Sequence, residues 1–202
     1  MDVIPDLNRL FDAAIFATTK HQGQLRKDNG HSPYVTHPLL VAQMLWQVGG
    51  ITDTIILTAA ILHDTLEDTK TTRTEMCENF GDEVLKIVLE VTDDKSLDKI
   101  ERKRLQVVHA PHLSEAAKAI KLADKLVNCR DMTNFPPEEW SLERRKNYIQ
   151  WGADVVKGLR GTNHALEVAF DDMLAVAEII LDFKILTFET IEQRPWAPNE
   201  HP

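Results

Sequence analysis

The stretch Ala59-Ala60-Ile61-Leu62-His63-Asp64-Thr65-Leu66-Glu67-Asp68 decides the fold. From Ile55 to Leu62 the chain is apolar on nearly every side of a helix, which is the pattern of a helix buried at the centre of a domain. Ionisable side chains then crowd in at His63, Asp64, Glu67 and Asp68. A charge placed in a core is costly unless it is paired or bound to a metal, so these groups need a reason to be there. The spacing offers one. His63 and Glu67 are i,i+4, as are Asp64 and Asp68, which predicts two stacked pairs on adjoining strips of one helix, facing one cavity. The dipeptide alone fits equally a core histidine bonded to its neighbour, so the rest of the chain must supply the context.

With 43% hydrophobic residues over 202 positions, the chain can bury one good-sized core and is most simply read as a single domain. It has no apolar run long enough to span a bilayer and no basic segment followed by an apolar signal core, so a cytoplasmic protein without a membrane partner is expected. Cys77 and Cys129 make no disulfide framework and no Cys-x-x-Cys pair, and are read as reduced and packed. A net charge of −9 argues against nucleic acid, whose binding needs a basic surface. An anionic ligand would need positive charge gathered locally.

Helical periodicity runs through the chain. Residues 6–20 carry an apolar stripe of Leu7, Leu10, Phe11, Ala14 and Ile15. A turn around Gly30 follows, with Arg26 and Lys27 on chain that can bend around a ligand. His37-Pro38 opens a second helix, stopped by Gly49-Gly50, and Thr52 or Asp53 caps the buried third. Short helices are predicted over 73–80 and 82–91. A charged one follows over 96–109, with Ile100, Leu105 and Val108 as its buried side and Asp98 paired to Arg102. That segment is the densest basic cluster and could supply a wall facing phosphates. A helix over 114–132 carries Asp124 one turn after Ile120, inside an apolar sequence. Pairing with the adjacent Lys121 or Lys125 would explain it blandly, but neighbouring helix positions face each other poorly, so a metal or an inward partner is at least as good. Two further helices end the pattern, the last with a stripe of Leu166, Phe170, Met173, Leu174, Ala177 and Leu181. That stripe and Trp196 could serve a homo-oligomer contact. No strand pattern competes, so the fold class expected is all-α.

His37, His63, Asp64 and Asp124 thus stand on three helices as candidate metal ligands. Two imidazoles and two carboxylates suit a divalent first-row ion such as manganese, iron or zinc, with positions left for water and substrate. Such an ion brings the pKa of water toward neutrality and makes it a nucleophile toward phosphorus. Glu67 and Asp68, one turn on, can orient that water or move its proton.

Taken with residues 21–38, the run His63-Asp64-Thr65-Leu66-Glu67-Asp68 joins Val91-Thr92-Asp93-Asp94-Lys95, Glu101-Arg102-Lys103-Arg104-Leu105 and Lys121-Leu122-Ala123-Asp124-Lys125-Leu126-Val127-Asn128 in a set. In order and at compatible spacing over roughly residues 5–165, this set resembles the hydrolase domain of the Rel/Spo alarmone family, in particular its stand-alone small alarmone hydrolases, metazoan Spo-type members included. The resemblance implies an HD-superfamily helical bundle whose buried central helix carries the His-Asp pair. It implies a hydrolase domain over 1–165; beyond about Gly161 the chain is less family-like, and there the apolar stripe predicts a helical extension over 166–192 packed on that domain and the prolines predict a disordered tail over 193–202. The resemblance implies a manganese ion on His37, His63, Asp64 and Asp124, and removal of the 3′-pyrophosphate of guanosine tetra- or pentaphosphate to give GDP or GTP and pyrophosphate. Carried over residue by residue, Glu67 and Asp68 match the catalytic acidic pair. Arg26, Lys27, Tyr34 and Asn128 match positions near the nucleotide, and Lys99, Arg144 and Tyr148 match positions near the phosphates. Asp131 departs from the threonine common in long family members.

The same metal site could instead act on adenosine alarmones or as an NADPH 2′-phosphatase. A nucleotide sensor without turnover is the reading from another class, and the intact set His37, His63, Asp64, Glu67, Asp68 and Asp124 argues against it.

Overall fold

A computed structural model describes residues 6–27, 30–190, 193 and 194. Among them the regular structure is helical, and the pairing of extended chain is an isolated antiparallel bridge between Leu25 and Pro33. The order is α1 (Leu7–Lys20), α2 (Thr36–Gln47), α3 (Thr54–Leu62), α4 (Thr65–Asp68), α5 (Arg73–Phe80), α6 (Asp82–Val91) and α7 (Lys99–His109). A 3₁₀ turn (Ala110–His112), α8 (Glu115–Asn134), α9 (Leu142–Lys157) and α10 (His164–Leu181) complete it.

Helix starts follow the short polar residues expected to cap them. Asp53 accepts from the Ile55 N–H at 2.8 Å, Ser114 from Ala117, Ser141 from Arg144 and Asn163 from Leu166. Each satisfies an otherwise orphaned donor and contributes about 1 kcal/mol. Gly81, at φ 87, lets α5 pass directly into α6, a conformation a side chain would strain.

Two helices form the core. α3 packs against α1, α2, α6 and α8, and buries every residue from Leu57 to Leu62. α8 packs against α2, α3, α6, α9 and α10. Full burial of side chains such as Leu45, Leu57, Leu62, Ile120 and Leu122 stabilises by about 1.5–3 kcal/mol apiece. α8 and α9 approach closely because Gly152 lies against Cys129, where an added Cβ would sit 2.5 Å from Sγ. α10 buries Leu166, Phe170, Ala177 and Leu181 of its predicted stripe.

Three local expectations are corrected. The buried helix does not run on through the acidic residues: α3 ends at Leu62, and His63 and Asp64 form the turn before α4. The relation of Asp64 to Asp68 survives as a 2.8 Å backbone hydrogen bond. α7 buries Lys103 and leaves Ile100 and Val108 exposed, because the Lys103 ammonium packs over the Tyr148 and Trp151 rings of α9. Asp98 is the α7 N-cap, accepting from the Ile100 and Glu101 N–H groups. Most of the predicted tail, Trp196 included, lies outside the described residues. Arg194 is described and buried, its guanidinium meeting Asp154 and the Phe188 ring.

Candidate active site

A cavity of about 370 Å³ opens between the loop after α1, the α3–α4 junction, α8 and α9. At its floor, His37 from the first turn of α2 sets Nε2 3.1 Å from Asp124 Oδ1 and 3.7 Å from Asp64 Oδ2. His63 Nε2 lies 3.2 Å from Asp64 Oδ2 and 3.9 Å from Asp124 Oδ1. The ligating atoms of His37, His63 and Asp124 fall within 4.8 Å of one another, and Asp64 closes the fourth side.

The tautomer of His63 tests whether this set fits a cation. Its Nδ1 lies 2.7 Å from the Ala60 carbonyl, which can only accept, so Nδ1 carries a proton and donates. In the neutral ring Nε2 then presents a lone pair to two carboxylates, and it has no hydrogen-bond partner among the described residues. Lone pair against carboxylate oxygen is repulsive, so with no ion that clash is relieved only by a second proton on the ring. A divalent ion at the centre turns all four contacts attractive, and a backbone carbonyl behind a ligating histidine is the usual supporting partner.

Surrounding groups fix the carboxylates. Tyr34 donates its hydroxyl to Asp64 Oδ2 at 2.7 Å and reaches Asp68 Oδ2 at 3.3 Å. Asn128 donates to Asp124 Oδ1 at 2.5 Å, and Lys125 to Asp124 Oδ2 at 3.1 Å. Burial pushes Asp64 and Asp124 toward the neutral form. The neighbouring imidazoles outweigh it at Asp64, and Lys125 with His37 outweighs it at Asp124, so both carboxyls lie below their ordinary value. Burial raises the Tyr34 hydroxyl, helped by Asp64, so it stays a donor.

Glu67 and Asp68 both line the cavity one turn beyond the pair. Glu67 Oε2 accepts from the Asp93 N–H at 3.0 Å, while Oε1 lies 3.5 Å from Lys95 and 3.8 Å from Arg102. Burial, with Asp93, Asp64 and Asp68 nearby, raises its carboxyl above the ordinary range. Asp68 pairs with Lys95, and its backbone carbonyl accepts from Gln24 at 2.7 Å.

Of the predicted nucleotide contacts, Arg26, Lys27, Tyr34, Asn128 and Tyr148 line the cavity; Lys99 and Arg144 do not. Lys99 is the exposed first residue of α7, and the Arg144 guanidinium stacks 4.0 Å over the Trp140 ring. Arg26 is held by Asp131 at 2.6 Å, tying the α1–α2 loop to α8.

Lys125 does reach its sequence neighbour Asp124, contrary to the expectation that adjacent helix positions would not meet. Its long stem folds along α8 and seats the ammonium 4.3 Å from the Trp151 ring centre. Asp93, Gln106, Lys121, Lys125 and Phe135 also line the cavity, and sequence reasoning assigned none of them to it. The signal was present for the lysines: positions 121, 124, 125 and 128 share one face of a helix.

An HD domain profile matches residues 13–149. The guanosine-3′,5′-bis(diphosphate) 3′-pyrophosphohydrolase MESH1 of Xenopus tropicalis is 56% identical over 168 residues, covering 83% of this chain and 94% of that protein. The Homo sapiens protein of the same name is 55% identical over 161 residues, covering 80% and 90%. A solved structure described as a metazoan ortholog of SpoT that hydrolyses ppGpp superposes with a TM-score of 0.81 at 45% identity, covering 83% of this chain and 94% of that one.

Proposed function

The chain belongs to the HD domain family, and from that premise we propose that it is a guanosine-3′,5′-bis(diphosphate) 3′-pyrophosphohydrolase, cleaving ppGpp or pppGpp to GDP or GTP and pyrophosphate. We further propose that the resident ion is manganese, held by His37, His63, Asp64 and Asp124, and that the protein works in the cytoplasm. Mixed imidazole and carboxylate donors support manganese over magnesium, which favours oxygen alone. Free Cys77 and Cys129 are in keeping with a reducing compartment, and no helix among the described residues is long and apolar enough to cross a membrane. The observation that carries the reading is the convergence of these four side chains, with the bare His63 nitrogen facing two acids, on the floor of a cavity whose lining includes Arg26, Lys27, Lys121 and Lys125.

When bound, such an ion supplies Lewis acidity toward a phosphoryl oxygen and makes water acidic enough to attack near neutral pH. The chain's own residues do the rest. Water adds to the phosphorus bonded to O3′, the O3′–P bond breaks, O3′ gains a proton and pyrophosphate leaves. Glu67, its carboxyl already raised, takes the proton from water and can return it to O3′. Asp68, held by Lys95, orients the water. Tyr34 and Asn128 hold Asp64 and Asp124 in place.

The test is product identification with manganese-loaded protein and a panel of guanosine alarmones, adenosine alarmones and NADPH, compared by kcat/KM. Pyrophosphate release from the guanosine substrates, lost in Asp64→Ala while the protein stays folded, is the expected result. Turnover by Asp64→Ala at the wild-type rate after chelation and re-metallation overturns the assignment, and preference for NADPH moves the substrate.

A further inference from the structure

Lys121 and Lys125 follow one another by one turn on α8, are only 8% and 3% exposed, and both line the cavity. An ammonium group has three N–H donors. Among the described residues each of these forms one hydrogen bond, Lys121 to the Val91 carbonyl at 3.1 Å and Lys125 to Asp124 at 3.1 Å. Asp93 Oδ1 stands 4.0 Å from Lys121 Nζ, at the limit of an ion pair. Like charges at i,i+4 repel, and burying them adds to the cost; Asp124 and, at the limit, Asp93 answer that charge only in part and leave N–H donors on both lysines unspent. The other cations of the region are placed differently. Arg26 is on Asp131, Lys27 lines the cavity but is exposed on the α1–α2 loop, Lys95 is on Asp68 and Glu67, and Lys99 and Arg144 lie outside the lining.

Resting on the hydrolase reading above, we propose that Lys121 and Lys125 form the seat of the leaving pyrophosphate, an anion subsite distinct from the Lys99 and Arg144 contacts that family resemblance implies. Pyrophosphate oxygens accept the donors left on both lysines, and compact ammonium groups suit a rotating, multiply charged group better than a planar fork would. The seat adjoins Asp124 through Lys125, so it receives the product as the O3′–P bond opens.

The test uses the full chain loaded with manganese. Inorganic pyrophosphate and, separately, GDP are titrated by calorimetry into wild type, Lys121→Met, Lys125→Met and the two Lys→Arg variants. Bound manganese is measured by electron paramagnetic resonance and folding by circular dichroism in the same samples. Each Met variant is expected to weaken pyrophosphate about 10-fold or more and GDP less than about 3-fold, with the Arg variants, which keep the charge but not the compact ammonium, recovering only part of the loss. Lys121→Met is decisive because its ammonium contacts no proposed metal ligand. Pyrophosphate bound to it within about 2-fold of wild type at equal manganese, or GDP weakened as much as pyrophosphate, overturns the seat; so does failure of wild type to bind pyrophosphate. Should Lys121→Met fail to fold, Lys121→Gln answers the same question. Absence of guanosine-substrate hydrolysis by wild type would sink the parent reading instead, and is scored apart from the titrations.

Discussion

The hydroxyl of Tyr34 donates to Asp64 Oδ2 at 2.7 Å, joining the end of the α1–α2 loop to the α3–α4 junction. Because Asp64 sits among buried groups, that bond decides which way its carboxylate points. Tyr34→Phe is expected to weaken manganese binding about 10-fold, as loss of a ligand's supporting partner commonly does. Unchanged metal affinity in a calorimetric titration would mean that His37 and His63 alone orient the acid.

Glu67 offers a trade between stability and activity. Its carboxyl is raised on folding, so the folded state holds that proton more tightly than the unfolded chain does. Stability from this group is present at low pH and is lost as pH climbs from the ordinary glutamate range through the raised value. Glu67→Gln removes the penalty. In metal-free protein it is expected to raise Tm at pH 7, with the gain vanishing at about pH 4, while kcat falls about 10²–10⁴-fold in the loaded enzyme. A Tm difference that does not depend on pH refutes the electrostatic account.

The close approach of Gly152 to Cys129 predicts a steric cost. An alanine Cβ would lie 2.5 Å from the sulfur, so Gly152→Ala is expected to destabilise by about 1–3 kcal/mol in urea unfolding. Adding Cys129→Ala opens the space, and the pair should lose less than the sum of the separate effects. Strict additivity would show that the helices relax apart.

Chelation should lower Tm, because it removes the ion that would link His37, His63, Asp64 and Asp124 across the floor and bind only the folded chain. Restoring manganese at about 100 times its dissociation constant is expected to return about 2.7 kcal/mol. Differential scanning calorimetry of wild type and Asp124→Ala checks this, since the variant should gain far less.

The helical class, most helix boundaries and the convergence of His37, His63, Asp64 and Asp124 are legible in the sequence, because period, caps and isolated charges in apolar runs are local signals. The break at Leu62 is not. His63 Nδ1 takes the Ala60 carbonyl, and this competition with the backbone depends on a side-chain rotamer. Lys103 hides for a similar reason: its stem packs and its charge lies near the Trp151 ring, so a charged residue fills a buried position that the pattern gave to Ile100 and Val108. The sequence offers the pairing of Lys125 with Asp124 but argues against it, because rules for helix faces treat side chains as radial spokes, and a four-carbon stem can fold along the helix.

Arg26 is already engaged by Asp131 before any ligand arrives. If Arg26 is a nucleotide contact, as the family resemblance implies, a phosphate or base acceptor must take the place of that carboxylate, and the arginine returns only the difference between the two bonds as affinity. On the same reading, Asp131 on α8 would reclaim the arginine as the nucleotide departs, shortening its residence and favouring turnover over retention.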